Sequence, residues 1–279
     1  MFFRCRYATM LLFITTLWFT ERGIATHARA GSSLKRCQHP CAVEYFSKAP
    51  DKWLADFRRV MGNLTPHLGF FDIDITAWPS SDDAPTIQGQ TLQRGQYVSA
   101  RIEPDGVERT LMVLEIDLNE LEQDHPHRLS VIAHEYFHVY QRFWTPKMNE
   151  EFRIKWLIEG TAAVLESMYL NEFEQVSNYF QTAQLRHAKV EDFGPKMEHY
   201  DNAEVNYGTS TAMVLFACRE VGFQRMIDFW KKGPANHTWK RIFAETFGVT
   251  VQQLYTEGKT AELNQLSLTA MGELSSIKF

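Results

Sequence analysis

The stretch Ala133-His134-Glu135-Tyr136-Phe137-His138-Val139 constrains this chain more than any other, because it sets two imidazoles and a carboxylate into one apolar, helix-forming run. At about 100° per residue, His134 and His138 lie roughly 40° apart on one helical face and one turn apart along it. Imidazoles so spaced can share one cation at about 2.0–2.1 Å, the usual zinc–nitrogen distance. Glu135 falls on the adjoining flank, too far round to be a natural ligand but well placed to touch a water beside the ion. A catalytic zinc normally takes three protein ligands and keeps a fourth position for water. Glu159, 21 residues after His138, is the candidate third ligand. The interval suits two packed helices with a break at Thr145-Pro146-Lys147, since proline stops a helix at or before its predecessor. Phe152, Trp156, Ile158, Glu159, Ala162, Ala163 and Leu165 then resume a helical arrangement.

The H-E-x-x-H and the later string Trp156-Leu157-x-Glu159-Gly160-x-Ala162 together resemble the gluzincin branch of zinc metallopeptidases, whose third ligand is a glutamate on the next helix. The resemblance covers about residues 129–170. It implies an α+β, zincin-like fold: a small, mostly antiparallel N-terminal sheet with the active-site helix, then a mainly α-helical C-terminal part. It further implies one Zn2+ per chain on His134, His138 and Glu159, with Glu135 as general base. Relatives of this kind add a tyrosine from the later helices as oxyanion donor. Tyr207, before Gly208 and an apolar helix over Thr211–Val221, is the choice here, with His199 and Tyr200 in reserve. The 48 residues from Glu159 to Tyr207 depart from the spacing of the aminopeptidase members. Glu166, seven residues past the ligand glutamate, is the candidate for orienting a ligand histidine. In the resembled family an edge strand runs along the cleft and pairs with extended substrate; Thr110–Ile116 is the candidate here, against an ordinary sheet strand.

Two departures bear on the subgroup. Ala163 stands where thermolysin-like members carry an aspartate, and no G-x-M-E-N string for holding a substrate amine is present. The expectation is therefore a generic or endo-acting peptidase acting on peptide or protein substrates. The alternatives are an aminopeptidase and a catalytically inert, secreted binding protein of the same fold. Retention of Glu135 speaks against the inert form, which would most cheaply lose its base. No G-x-S-x-G elbow offers a metal-free route.

Arg4 and Arg6, the apolar run Ala8–Phe19 and Ala28-Arg29-Ala30 together read as a secretory signal cut after Ala30. The run is short for a helix spanning a bilayer, so no stable membrane span is expected after cleavage, and the product would be secreted or periplasmic; the alternative is a tethered form that retains the segment as an anchor. Cleavage would deepen the net charge of −5 by removing Arg4, Arg6, Arg22 and Arg29 against one acid, Glu21. An acidic balance with no basic run excludes nucleic acid as a partner. Cys37 and Cys41 could close a local disulfide in an oxidising compartment or remain open. Cys218, in the apolar run Met213–Cys218, reads as a buried thiol.

The expected division is a signal over 1–30, a strand-containing subdomain over 31–145 ending in the H-E-x-x-H helix, and a helical subdomain over 146–279 carrying the third ligand. Trp53, Leu54, Phe57, Val60, Met61 and Leu64 recur at helical spacing, with Ser47 or Asp51 as cap and Gly62-Asn63 or Gly69 as stop. Phe71, Ile73, Ile75 and Ala77 alternate with polar residues as in a half-buried strand. Tyr97–Ile102 and Val107–Ile116 read as strands joined at Glu103-Pro104-Asp105-Gly106. His125 and His127 are expected to be exposed at a helix start, Thr238 and Thr250 to cap later helices, and residues after Leu268 to be loosely held.

Overall fold

The computed structural model describes residues 34–145, 153–177, 179, 183–200, 204–233 and 238–279. The expected signal over 1–30, Pro146-Lys147 and Phe152 lie outside the described residues. The fold is mixed α+β. Its strands are β1 (Arg36–Cys37), β2 (Val43–Phe46), β3 (Phe70–Phe71), β4 (Ile73–Pro79), β5 (Thr86–Ile87), β6 (Gln90–Thr91), β7 (Gln96–Ile102) and β8 (Glu108–Ile116). The helices are α1 (Asp51–Leu68), α2 (Leu118–Glu122), α3 (His127–Trp144), α4 (Lys155–Phe173), α5 (Glu204–Cys218), α6 (Gln224–Lys232), α7 (Trp239–Phe247) and α8 (Val251–Glu257).

The main sheet has the order β2-β4-β8-β7. β2 and β8 both run parallel to β4, and only the β7–β8 hairpin is antiparallel. This corrects the expectation of a mostly antiparallel sheet. The cause is α1, which carries the chain from β2 back to the start of β4, the crossover that parallel strands require. β8 is also an interior strand, with backbone partners on both sides. Thr110–Ile116 therefore has no free edge to offer an extended peptide; the sheet's outer edges are β2 and β7.

β4 is buried along its whole length rather than on one face. Ile73, Ile75 and Ala77 join Met112, Leu114 and Ile116 in the main core, beneath α1 and α3. Trp78, Leu111 and Val113 form a second cluster under the 80–95 excursion, with Ile87, Leu92 and Tyr97 against it. Strand alternation thus serves two cores at once. Asp74, on the second face, accepts from Arg101 Nη2 at 2.6 Å and from Arg109 at 3.2 Å, which is how a buried carboxylate is tolerated there.

α1 starts after Pro50 without a side-chain cap and runs to Gly69, whose φ of +98° is open chiefly to glycine. α3 lies between the sheet and α4, and α4 between α3 and α5. That position explains why α4 is apolar all round: both flanks are covered, and Trp156 to Leu170 are almost all buried. Trp156 meets Trp239 and Phe243 edge-on and donates to the Tyr255 hydroxyl at 3.2 Å. The core runs unbroken from Trp53 to Ile277, across the expected subdomain division.

Thr250 closes a capping box with Gln253, whereas Thr238 sits at the cap position of α7 without a side-chain bond. The tail departs from expectation. Met271, Leu274 and Ile277 are buried in a run of 3-10 turns, and Glu172 of α4 accepts from the backbone N–H of Leu274 at 2.6 Å. Cys37 and Cys41 form a disulfide, and Cys218 is buried and free.

Candidate metal centre

α3 and α4 cross where the two motifs face each other. His134, His138 and Glu159 bring one ligand atom apiece to within 4.8 Å of one another, the one such group among the described residues. Glu159 Oε2 lies 3.4 Å from His134 Nε2 and 3.6 Å from His138 Nε2. Ligands about 2.1 Å from a tetrahedral ion stand about 3.4 Å apart, so the donor spacing matches a shared cation. The rings stand nearly perpendicular, 4.7 Å between centroids, as two imidazoles converging from successive turns must.

The other ring nitrogens are committed. His134 Nδ1 donates to Glu166 Oε2 at 3.1 Å, and His138 Nδ1 donates to Gln141 Oε1 at 2.7 Å. With acceptors on both Nδ1 atoms, a ring that gave up its other proton would carry its lone pair on Nε2, on the Glu159 side. Glu166, two turns beyond Glu159, thus holds the His134 ring, and Gln184 donates to its second oxygen. Gln141 uses its Nε2 to donate to the Ile158 carbonyl at 3.0 Å, tying His138 to the residue before Glu159.

Charge sharpens the picture. Burial works against ionisation of both histidines, but bonds to Glu159 and, for His134, Glu166 hold both above the ordinary value, His134 well above it. Burial also opposes ionisation of Glu159, yet the two imidazoles hold its carboxyl far below the usual range. The three side chains therefore compete for protons among themselves, and a cation entering would displace protons from the rings. Glu135 differs. It is 5% exposed, and its Oε2 is buried with no hydrogen-bond partner. Burial raises its carboxyl above the usual value, partly offset by His138 and His134. A buried carboxylate oxygen left unpaired beside three convergent donors is the mark of a group awaiting a partner.

Of the remaining expected residues, Tyr207 lies inside α5, which begins at Glu204 rather than Thr211. Its ring meets Tyr200 edge-on at 6.2 Å. Burial, and next the Glu159 carboxylate, push the Tyr200 hydroxyl well above its ordinary value. Ser210 Oγ donates to its hydroxyl at 2.9 Å. His199 is exposed. His125 is exposed as expected, but His127 is half-buried and paired with Glu120 at 2.9 Å.

Sequence reasoning missed Gln141, Gln184 and Ser210. Gln141 had a signal: a polar residue three past His138, on the same face of an otherwise apolar helix. Gln184 had none, since it reaches Glu166 from a π-helical turn at 183–184, beyond the end of α4 in the chain. That segment packs tightly at Gly208, where a Cβ would lie 2.8 Å from the Gln184 carbonyl oxygen. The chain was compared with known family models, curated proteins and solved structures, and no match was found in any of the three.

Proposed function

We propose that this chain is an exported, zinc-dependent peptidase of gluzincin type with a zincin-like fold. The observation that carries the reading is the convergence of His134, His138 and Glu159 beside the unpartnered, buried Oε2 of Glu135. A histidine–histidine–glutamate set suits zinc, which when held there would lower the pKa of a coordinated water to about 7. Glu135 takes the proton as water attacks the peptide carbonyl, then passes it to the leaving amine nitrogen. Its raised pKa brings it nearer the neutral range where such transfers run best. Glu166 and Gln141 keep the two rings turned toward Glu159.

We assign the donor for the developing oxyanion to Tyr200 or to Tyr207, whose rings meet edge-on, Glu159 being among the charges that raise the Tyr200 hydroxyl. Export is supported by the N-terminal signal pattern and by the Cys37–Cys41 disulfide, a bond that persists in oxidising compartments. The test is metal analysis and a fluorogenic peptide panel on the parent and on Glu135→Gln. We expect one zinc per chain in both, chelator-sensitive cleavage by the parent, and a loss of about 10²–10⁴-fold in the variant. Equal cleavage by the two proteins would remove Glu135 from the reaction.

A further inference from the structure

α5 opens its buried stretch with three hydroxyl residues in a row, Thr209, Ser210 and Thr211, each fully buried in a helix that is otherwise apolar beyond them. A buried hydroxyl costs stability unless it is bonded, so each needs a partner. Thr211 Oγ1 donates back to the Tyr207 carbonyl at 2.9 Å, the ordinary local solution in a helix. Thr209 Oγ1 accepts from the backbone N–H of Lys189 at 3.1 Å. Ser210 is bonded to a side chain, the hydroxyl of Tyr200.

The backbone of Ser210 has a second contact of consequence. A Cβ on Gly160 would lie 2.4 Å from the Ser210 carbonyl oxygen, so α4 and α5 touch backbone to backbone at the residue that follows Glu159. Only glycine permits this approach. Ser210 is thereby fixed relative to the turn that carries Glu159, and through its hydroxyl it holds the Tyr200 phenol. Lys155, four residues before Glu159, holds the other end of the tyrosine by donating to the Tyr200 carbonyl at 3.0 Å.

We infer that Ser210 is a positioning residue for the candidate centre: its donated hydrogen bond spends an acceptor site on Tyr200 Oη and leaves the phenol's own proton for an oxyanion on the Glu159 side. The inference rests on the hydrolytic reading above and adds a residue to it. It also accounts for the Gly160 of the E-G-x-A string, which lets Ser210 sit against the turn that carries the ligand.

The test is a double-mutant cycle in the full-length, zinc-loaded protein with Ser210→Ala, Tyr200→Phe and the pair. Two quantities are read: kcat and KM on a peptide substrate, and the Kd of a phosphinic peptide, whose tetrahedral oxygens mimic the oxyanion. We expect Ser210→Ala to lower kcat and weaken the phosphinic peptide about threefold to tenfold, the worth of one neutral hydrogen bond, with KM and zinc content unchanged. In the Tyr200→Phe background the same change should have no further effect. An equal loss in both backgrounds would mean that Ser210 acts through packing, and no loss in either would mean that it does nothing; both overturn the assignment. If the parent binds the phosphinic peptide with this coupling yet cleaves no peptide, the hydrolytic reading fails while the positioning role stands. If the parent neither binds nor cleaves, both fall.

Discussion

Two clusters of buried charge sit on opposite sides of the main sheet, and they are finished differently. On the face away from α3, Asp74 is met by two guanidiniums, with Asp72 and Glu103 taking the outer bonds of Arg109 and Arg101. The cluster's three acids meet two fixed guanidinium charges, although Arg101 Nε is buried there without a hydrogen-bond partner. On the helix side, among the described residues, the ion pairs of Glu159 and Glu166 run to His134 and His138, with Gln184 also donating to Glu166. The positive charge there comes from rings that must take up protons, so it is not fixed as a guanidinium's is. Burying unpaired charge is costly, and a divalent cation is the simplest counterweight. One cluster is a structural pin, and the other is a socket.

The contrast can be broken most sharply at Glu159. Glu159→Gln should abolish stoichiometric zinc binding and, with it, peptide turnover, while the circular dichroism spectrum stays that of the parent. Full zinc occupancy in that variant would mean that the socket lies elsewhere. Next in size is the pin. Asp74→Asn should leave zinc content unchanged yet lower stability by about 2–3 kcal/mol, less than for a fully enclosed pair because Arg101 and Arg109 reach water. In thermal melts that corresponds to roughly 2–4 °C per kcal/mol for a chain this long. An unchanged melt would mean that the Asp74 cluster balances nothing.

The smallest effect concerns the pair beside the socket. His127 is held above its ordinary 6.5 by Glu120 despite burial, and Glu120 is held below its ordinary 4.5 by His127 despite its own burial. The histidine's contribution is fully present below about 6.5 and is lost as pH rises through its higher folded value. The glutamate's is present above about 4.5 and is lost as pH falls through its lower folded value. Glu120→Gln should therefore lower the melting temperature by about 1–3 °C between pH 4.5 and 6.5, and by progressively less above that window. A deficit that grows at alkaline pH would reverse the sign and dissolve the pair.

Much of the site was legible because it is local. Five residues fix the angle between His134 and His138, and Glu166 follows from Glu159 by the same helical arithmetic. Less of the frame was legible. The period-2 pattern from Phe71 to Ala77 marks a strand but is silent on its neighbours, so the parallel partners of β4 and the burial of its second face could not be read. Tyr200 and Tyr207 look alike in the linear text, and only the packing sets their rings edge-on against each other and Tyr200 against Ser210. The tail after Leu268 carries no helix signal, yet Glu172 and the core hold it in place.

The sequence by itself determined which side chains can meet a cation from α3, because covalent spacing and helix pitch leave them little freedom. Tertiary structure alone decided what surrounds them: which strand lies at the edge, which tyrosines pack together, and which polar groups turn the rings. Those choices depend on contacts between segments dozens of residues apart, where close packing and the pairing of buried polar groups, not local periodicity, set the distances.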